Sequence, residues 1–493
     1  MKVDLPAARL PRFSPFDRMV LLIAGLLLAA IVLTLLLGDR VGVTLARVSP
    51  LGTAHSTSPI TLQFSETMNR DTLAGRLRLV QIDPARLGPD DAFRDEAVLA
   101  EVAGDLAWAG GTAIFRPAAA LKPGATYMAL LQPGATSETG RAVLTEYRFS
   151  FVVGQPRVAY LAPATSAPLN IWIADPADPA SARQVTFTPA SVLDFGVSPD
   201  GTRIAFAERN SETGTSDLKL LDLETGAIQQ LTNCVDADCT TPVWRPDGQV
   251  IAYERVDFNT DLQNVGVSPA RIWLVDLTTV PATTRPLFND SQILGYGLQW
   301  SRDGNRVTLF DANSQGILLY DFTTGDTVVI PSRYGSTGAL APDGQRVVFP
   351  EITLNEGRAR SYLQLADLET QQIRPLSRPD QPVDDDTAAW SPDGQRLVIA
   401  RRYQDERYTR GRQLYLMNPA DGSVEELIYD PRYANGIFSF DPTGALLIVQ
   451  RFPELTETGD LNNAGRPEIW VVDLATRQLT LVAEDAFFPR WVP

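Results

Sequence analysis

Trp390-Ser391-Pro392-Asp393-Gly394-Gln395-Arg396-Leu397-Val398-Ile399-Ala400 contains two strands and the turn between them, and the chain writes this pattern six times. Pro392 presets φ for the second position of a type I turn, the Asp393 carboxylate can accept from nearby backbone N–H groups, and Gly394 takes the positive φ that closes a hairpin. Leu397, Val398 and Ile399 then read as a buried strand. The other copies are Val197 to Ala207, Trp244 to Glu254, Trp300 to Phe310, Leu340 to Pro350 and Phe440 to Gln450. A pattern repeated at this spacing predicts a propeller or a solenoid.

Length and charge set the outer bounds. Against a soft prior of ~150 residues per domain, 493 residues predict two or three domains with ample core. Lys+Arg 43 against Asp+Glu 59 leaves a net charge of −16, and no basic patch offsets it, so no nucleic-acid partner is expected. One histidine and two cysteines exclude much catalytic and metal chemistry.

Met19 to Gly38 is an uncharged apolar run of 20 residues. At ~1.5 Å per residue it spans roughly 30 Å of hydrocarbon, longer than the apolar core of a signal peptide, and no small-x-small cleavage pattern follows it directly. It predicts an uncleaved transmembrane anchor at 19–38. Lys2, Arg9, Arg12 and Arg18 precede it, against Arg40 and Arg47 close behind, so residues 1–18 are expected to form a cytoplasmic tail with the bulk outside the membrane.

Residues 48–153 alternate in short segments split by Gly, Pro and Thr, which predicts an antiparallel β-sandwich. Ile60, Leu62 and Phe64 fall on one face, and Leu121-Lys-Pro-Gly-Ala-Thr-Tyr127 reads as a turn feeding a strand. Pro59 to Met68, Ala113 to Pro117 and Tyr147 to Phe151, together with that turn, resemble the bacterial Ig-like domain of S-layer and other surface proteins. The resemblance implies a spacer or protein-contact module without catalysis.

Residues 157–493 carry the repeats. Each turn motif leads to a third strand of the form Ile-Trp-Leu-Val-Asp-Leu, at Asn170 to Asp175, Leu218 to Leu223, Arg271 to Leu277, Ile317 to Phe322, Tyr362 to Leu368, Gln413 to Asn418 and Glu468 to Leu474. Seven third strands but six turn motifs leave one blade shared between the ends. Its inner strand is Phe487 to Val492 and its outer three come from Arg157 to Phe187, so the expected fold is all-β: a seven-bladed β-propeller closed by pairing of the two ends of the array. The repeats resemble the PD40 (WD40-like) repeats of TolB-like propellers over residues 157–493. The Phe440 copy departs, with Thr443 where the others have Asp, and the Leu340 copy lacks its Trp. The family's namesake has six blades, so its partner preferences are not carried over.

The site reading is mostly one of exclusion. Nucleophilic triads need an imidazole beside the nucleophile, and the sole histidine, His55, sits in the Ig-like region; it reads as a loop residue. Asp200, Asp247, Asp303, Asp343 and Asp393 recur in the turns and read as turn caps, too far apart to share an ion. Asp384, Asp385 and Asp386, with Asp380 before them, read as an acidic loop, solvated in preference to cation-bound. Cys234 and Cys239 share a loop, and an oxidising compartment predicts a disulfide between them rather than a zinc site. No metal and no cofactor are expected.

Loop length points to one face. Links between second and third strands are long at Val256 to Ala270, Leu354 to Ser361, Tyr403 to Arg412 and Phe452 to Pro467, and the acidic and cysteine loops open on the same side. Elaborated loops on a rigid scaffold carry binding. Asp384, Asp385, Asp386, Tyr403, Arg407 and Tyr408 are the binding-face candidates, because Tyr and Arg dominate interface hot spots. The expectation is a membrane-anchored extracytoplasmic binding or scaffold protein for a protein or cell-envelope partner. The alternative is an enzyme acting on envelope glycans or peptides through carboxylates alone.

Overall fold

The computed structural model describes residues 14–38, 42–88, 93–258, 266–355 and 357–493. Residues 1–13 of the expected tail and 259–265 of the expected long link lie outside the described residues. The described residues divide into two compact units, one from those up to 52 with those in 59–118 and 126–151, the other from 53–58, 119–125 and those from 152 onward.

One helix, Pro15–Gly38, opens the chain, starting before the expected Met19. Its start is a reciprocal cap: the Ser14 N–H donates to Asp17 Oδ2 at 2.9 Å and the Asp17 N–H to Ser14 Oγ at 3.1 Å, with Pro15 in the first turn, where its missing N–H costs nothing. Large apolar side chains from Phe16 to Leu33 are exposed all round. Such a helix is long and apolar enough for a membrane anchor or a signal sequence.

The following residues form two antiparallel sheets. One orders Leu45–Ser49, Ile60–Phe64, Thr112–Pro117 and Gly104–Ala109; the other orders Gly52–Ala54, Tyr147–Val153, Thr126–Leu131, Leu77–Ile82 and Val98–Val102. Ile60, Leu62 and Phe64 alternate inward, and Leu62 and Phe64 share a core with Leu131, Leu73 and Ala113, so apolar faces of both sheets contribute. Gly124 takes φ 75° in the turn that feeds Thr126–Leu131.

From Arg157 the chain builds successive antiparallel groups of four strands, spanning 192–230, 237–286, 295–331, 339–375, 383–428 and 433–484. The first two of these are joined by one parallel bridge, Ser216 to Asp238. A further four-stranded sheet orders Asp178–Gln184, Asn170–Asp175, Arg157–Ala162 and Phe487–Val492, with Val158 opposite Trp491 and Arg157 opposite Val492. The C-terminal strand therefore pairs with one that lies some 330 residues earlier in sequence.

The turns follow their sequence chemistry. Gly201, Gly248, Gly304, Gly344, Gly394 and Gly444 all adopt φ between 68° and 75°. Asp393 Oδ1 accepts from the Gln395 N–H at 3.0 Å and the Ser391 hydroxyl at 2.5 Å, while Ser391 Oγ accepts from the Arg396 N–H at 3.0 Å. In the divergent copy Asp441 sits at the serine position and does both jobs, accepting from the Thr443 N–H at 3.0 Å and the Leu446 N–H at 2.7 Å.

Neighbouring groups are stapled by a joint that pattern reading missed. Arg346 lies 4.7 Å from the Trp390 ring of the next group and donates to the Gly394 carbonyl at 3.1 Å; Arg203 treats Trp244 and Gly248 in the same way, at 5.0 and 3.1 Å. The indoles donate back, Trp390 Nε1 to Ala339 O and Trp244 Nε1 to Gly196 O. Where Leu340 lacks an indole, the Gln299 amide bridges instead, to Gly338 O and the Leu340 N–H.

One expected loop is not a loop. Strands Arg346–Asn355 and Arg358–Asp367 continue through the expected 354–361 link, with Leu354 opposite Ala359, because their backbone groups pair to the tip of the hairpin.

Candidate binding site

Asp384, Asp385 and Asp386 lie in strand Val383–Trp390, not in a loop, and this corrects the expected solvated acidity. Asp385 is fully buried and held by Arg401 through two bonds of 2.8 Å. Asp384 accepts from the Ser361 N–H and hydroxyl and from Arg402 and Arg412 at 2.7 and 2.9 Å. Burial opposes its charge, but Ser361 and Arg412 outweigh that and hold the carboxyl below its ordinary range. Asp386 meets Arg412 at 2.9 Å and the Tyr334 hydroxyl at 3.3 Å. Three arginines thus answer three carboxylates, which leaves no charge for a cation. Among the described residues no group of three or more His, Cys, Asp or Glu could hold a metal.

The neighbouring loop also engages its charges within the protein, Arg410 pairing with Glu454 at 3.4 Å. Arg407 forks onto Asp405, and its guanidinium lies 3.6 Å from the centre of the Tyr403 ring. Tyr408 is exposed, with Arg402 5.9 Å from its ring. Arg402 therefore joins the aspartate strand to this loop, so the six candidates do come together, as a packed network. Cys234 and Cys239 form a disulfide; Cys234 lies in the loop before strand Ala237–Trp244 and Cys239 within that strand, and both side chains are buried beside Leu218 and Tyr253 while Val235 between them is exposed.

The most open chemistry lies elsewhere. A cavity of about 440 Å³ is lined by Asp194, Phe195, Thr241, Trp244, Phe488 and Arg490, among others. They come from strands Val192–Val197, Ala237–Trp244 and Phe487–Val492. Pairing register slips in each of the first two, between Val192 and Asp194 and between Thr240 and Val243, and opposite the third, between Ala159 and Leu161. Such bulges re-aim side chains. At the equivalent slip in strand Gly295–Trp300, Gly297 takes φ 70°, but Thr241 and Phe488 hold φ 56° and 60° with full side chains. A left-handed backbone at a β-branched or bulky residue costs about 1–3 kcal/mol.

Residues 39–153 match the family model described as a bacterial Ig-like domain. No curated protein matches the chain. Solved structures similar to it include an oligogalacturonate lyase from Vibrio parahaemolyticus (16% identity, 67% of this chain and 87% of that one, TM-score 0.45). Others are the β-propeller domain of the Trilobed protease from Pyrococcus furiosus (14%, 60% and 84%, 0.43) and TolB from Acinetobacter baumannii (17%, 78% and 95%, 0.37). At these identities and scores the likenesses carry no inference about activity.

Charge in the cavity is left open. Asp194 Oδ2 accepts from the Thr241 N–H at 2.8 Å, whereas its Oδ1 is buried without a partner. Burial raises the Asp194 pKa, against the Thr241 bonds and the nearby Arg490 charge. Arg490 makes no ion pair among the described residues; its Nη1 donates to the Pro489 carbonyl at 3.1 Å, and its guanidinium lies 4.7 Å from the Phe488 ring. Burial pushes the Arg490 pKa down, and Asp194 pulls it back only in part. Close by, Glu254 Oε1 accepts from the Gly297 N–H at 2.8 Å, and burial raises its pKa too, with Asp194 adding to the rise. One signal could have found Asp194. When the repeats are aligned on Val197, Trp244, Trp300, Leu340, Trp390, Phe440 and Trp491, the residue three before each is Asp194, Thr241, Gly297, Thr337, Thr387, Ile437 and Phe488. Asp194 is the one charged member of that column.

Proposed function

We propose that this protein is a membrane-tethered binding protein of the cell envelope. In this reading the N-terminal helix is an uncleaved anchor with the tail inside, residues 48–153 are an Ig-like spacer, and residues 157–493 form a TolB-like seven-bladed propeller closed by the pairing of Arg157–Ala162 with Phe487–Val492. The partner is an envelope component that enters the cavity at Asp194 and Arg490, and no reaction follows. The observation that carries this is that Asp194 and Arg490 line one aromatic-walled cavity with no ion pair between them among the described residues, the aspartate keeping one oxygen without a hydrogen-bond partner. Pockets of ~300–1,000 Å³ with a few converging polar groups are the usual form of a small-ligand site.

Two measurements test it. Protease added to intact spheroplasts is expected to remove the propeller, and full protection would refute the topology. Native mass spectrometry of the full-length protein in detergent, purified from its own host, is expected to show a bound small molecule that Asp194→Asn loses; an identical spectrum for both proteins would refute the cavity as the site. The enzyme reading rests on two carboxylates with raised pKa, Asp194 and Glu254, but Glu254 already spends an oxygen on Gly297. Release of product from envelope glycans or peptides, abolished by Glu254→Gln, would favour it.

A further inference from the structure

Resting on the reading of this cavity as the binding site, we propose that it takes a small zwitterion of amino-acid or dipeptide size, its ammonium group on Asp194 and its carboxylate on Arg490, with an apolar side chain against the aromatic wall. Neither charge alone suits the space. A lone cation would meet the Arg490 guanidinium, and a lone anion would meet the Asp194 carboxylate, so only a ligand carrying both signs answers both groups. The two residues line the same cavity and form no ion pair among the described residues, so a molecule in the cavity can lie against both. The walls fix the rest. Phe195, Val197, Trp244 and Phe488 offer an apolar, aromatic surface, and about 440 Å³ accommodates one or two residues rather than a folded partner. Phe488 and Thr241 are the strained positions, so the strain falls on the residue two before Arg490 and on the residue whose N–H orients Asp194.

The test is calorimetric titration of the full-length protein in detergent with L-phenylalanine and glycyl-phenylalanine, and with the N-acetyl and the C-terminal amide form of each. Phenylalanine against glycyl-phenylalanine separates a free amino acid from a peptide as the preferred source. For the preferred one, blocking either terminus is expected to weaken binding about 10- to 100-fold, the scale of one lost charged hydrogen bond. In Asp194→Asn the penalty for acetylation is expected to collapse while that for amidation stays; Arg490→Gln is expected to do the reverse, with Arg490→Lys used if the glutamine variant fails to fold. Glu212→Gln, on an exposed loop, is expected to match the wild type. Equal binding of blocked and free forms, penalties that persist in the variants, or no binding of any probe at millimolar concentration would each overturn the zwitterion. An acetylated probe that binds as tightly as the free form and is lost in Asp194→Asn would overturn the zwitterion while leaving the cavity as the site.

Discussion

Asp385→Ala separates a structural staple from a binding site. Asp385 is 0% exposed, its Arg401 partner 5%, and the two share a pair of 2.8 Å bonds. Burial opposes the Arg401 charge, and the Asp385 carboxylate overcomes it and raises the pKa. Without Asp385 the guanidinium keeps no carboxylate partner among the described residues, and its neighbours are Tyr403 and Tyr415, with ring centres at 5.7 and 5.9 Å. Stranding one member of a buried pair costs about 3–5 kcal/mol. An unfolding entropy of about 2.1 cal/mol/K per residue over the roughly 340 residues of the repeat array gives ~0.7 kcal/mol/K, so its melt is expected to fall by about 4–7 °C. The double change Asp385→Leu, Arg401→Met is expected to recover most of that loss, since no charge is then left buried. Melting curves with and without calcium or magnesium supply the assay. An unchanged melt for Asp385→Ala, or a cation that raises the wild-type melt but not that of the variant, would refute the staple and restore a cation site.

Three further outcomes are expected. Deleting 487–493 removes the strand paired with Arg157–Ala162 and the Trp491 bond to Ser439 O; it is expected to lower the melting temperature of the whole array, and an unchanged melt would show that the array does not depend on this strand. Reduction of Cys234–Cys239, which encloses a short loop, is expected to cost about 2 kcal/mol, read as a lower urea midpoint, with intact mass reporting the two hydrogens gained; equal midpoints would refute it. Because Asp194 has a raised pKa when folded, its contribution to stability is fully present below the ordinary carboxylate value of 3.8 and is lost as pH rises through the raised value. Asp194→Asn is therefore expected to raise the melting temperature of ligand-free protein at pH 7 and to lose that gain towards pH 3.8. A gain independent of pH would refute the assignment.

What was legible in the sequence was local, apart from the pairing of Phe487–Val492 with Arg157–Ala162, which the count of repeat strands gives. Pro392-Asp393-Gly394 specifies its turn through bonds that reach at most five residues, so the hairpin could be written from residue types alone. Even the departure at Thr443 is local, because Asp441 sits where it can cap two N–H groups. Burial of the acidic run was not legible. Asp385 opposite Arg401 depends on the register of two strands 16 residues apart, and the bulge between Asp385 and Thr387 shifts the alternation that would otherwise tell inside from outside. The cavity was further out of reach. Asp194 and Arg490 stand almost 300 positions apart and meet only because the last strand pairs with Arg157–Ala162.

Asp385 and Asp194 are both carboxylates placed at bulges in the first strands of their groups, and they meet opposite fates. Asp385 receives an arginine from the strand beside it, with both oxygens bonded, and its surroundings close over it. Asp194 also has an arginine within electrostatic range, yet the pair stays open, one oxygen goes unbonded, and the strand that carries Arg490 holds Phe488 in a left-handed backbone that glycine takes elsewhere. Closing an Asp194–Arg490 pair would answer both charges, and a glycine at 488 would relieve the backbone. An arrangement that forgoes both is less stable than this fold can make it, and such sites cluster where a ligand completes the bonding. The same fold thus shows that it can neutralise a buried aspartate when structure is all that is required. Its failure to do so at Asp194 is what sets that position apart from the acidic run.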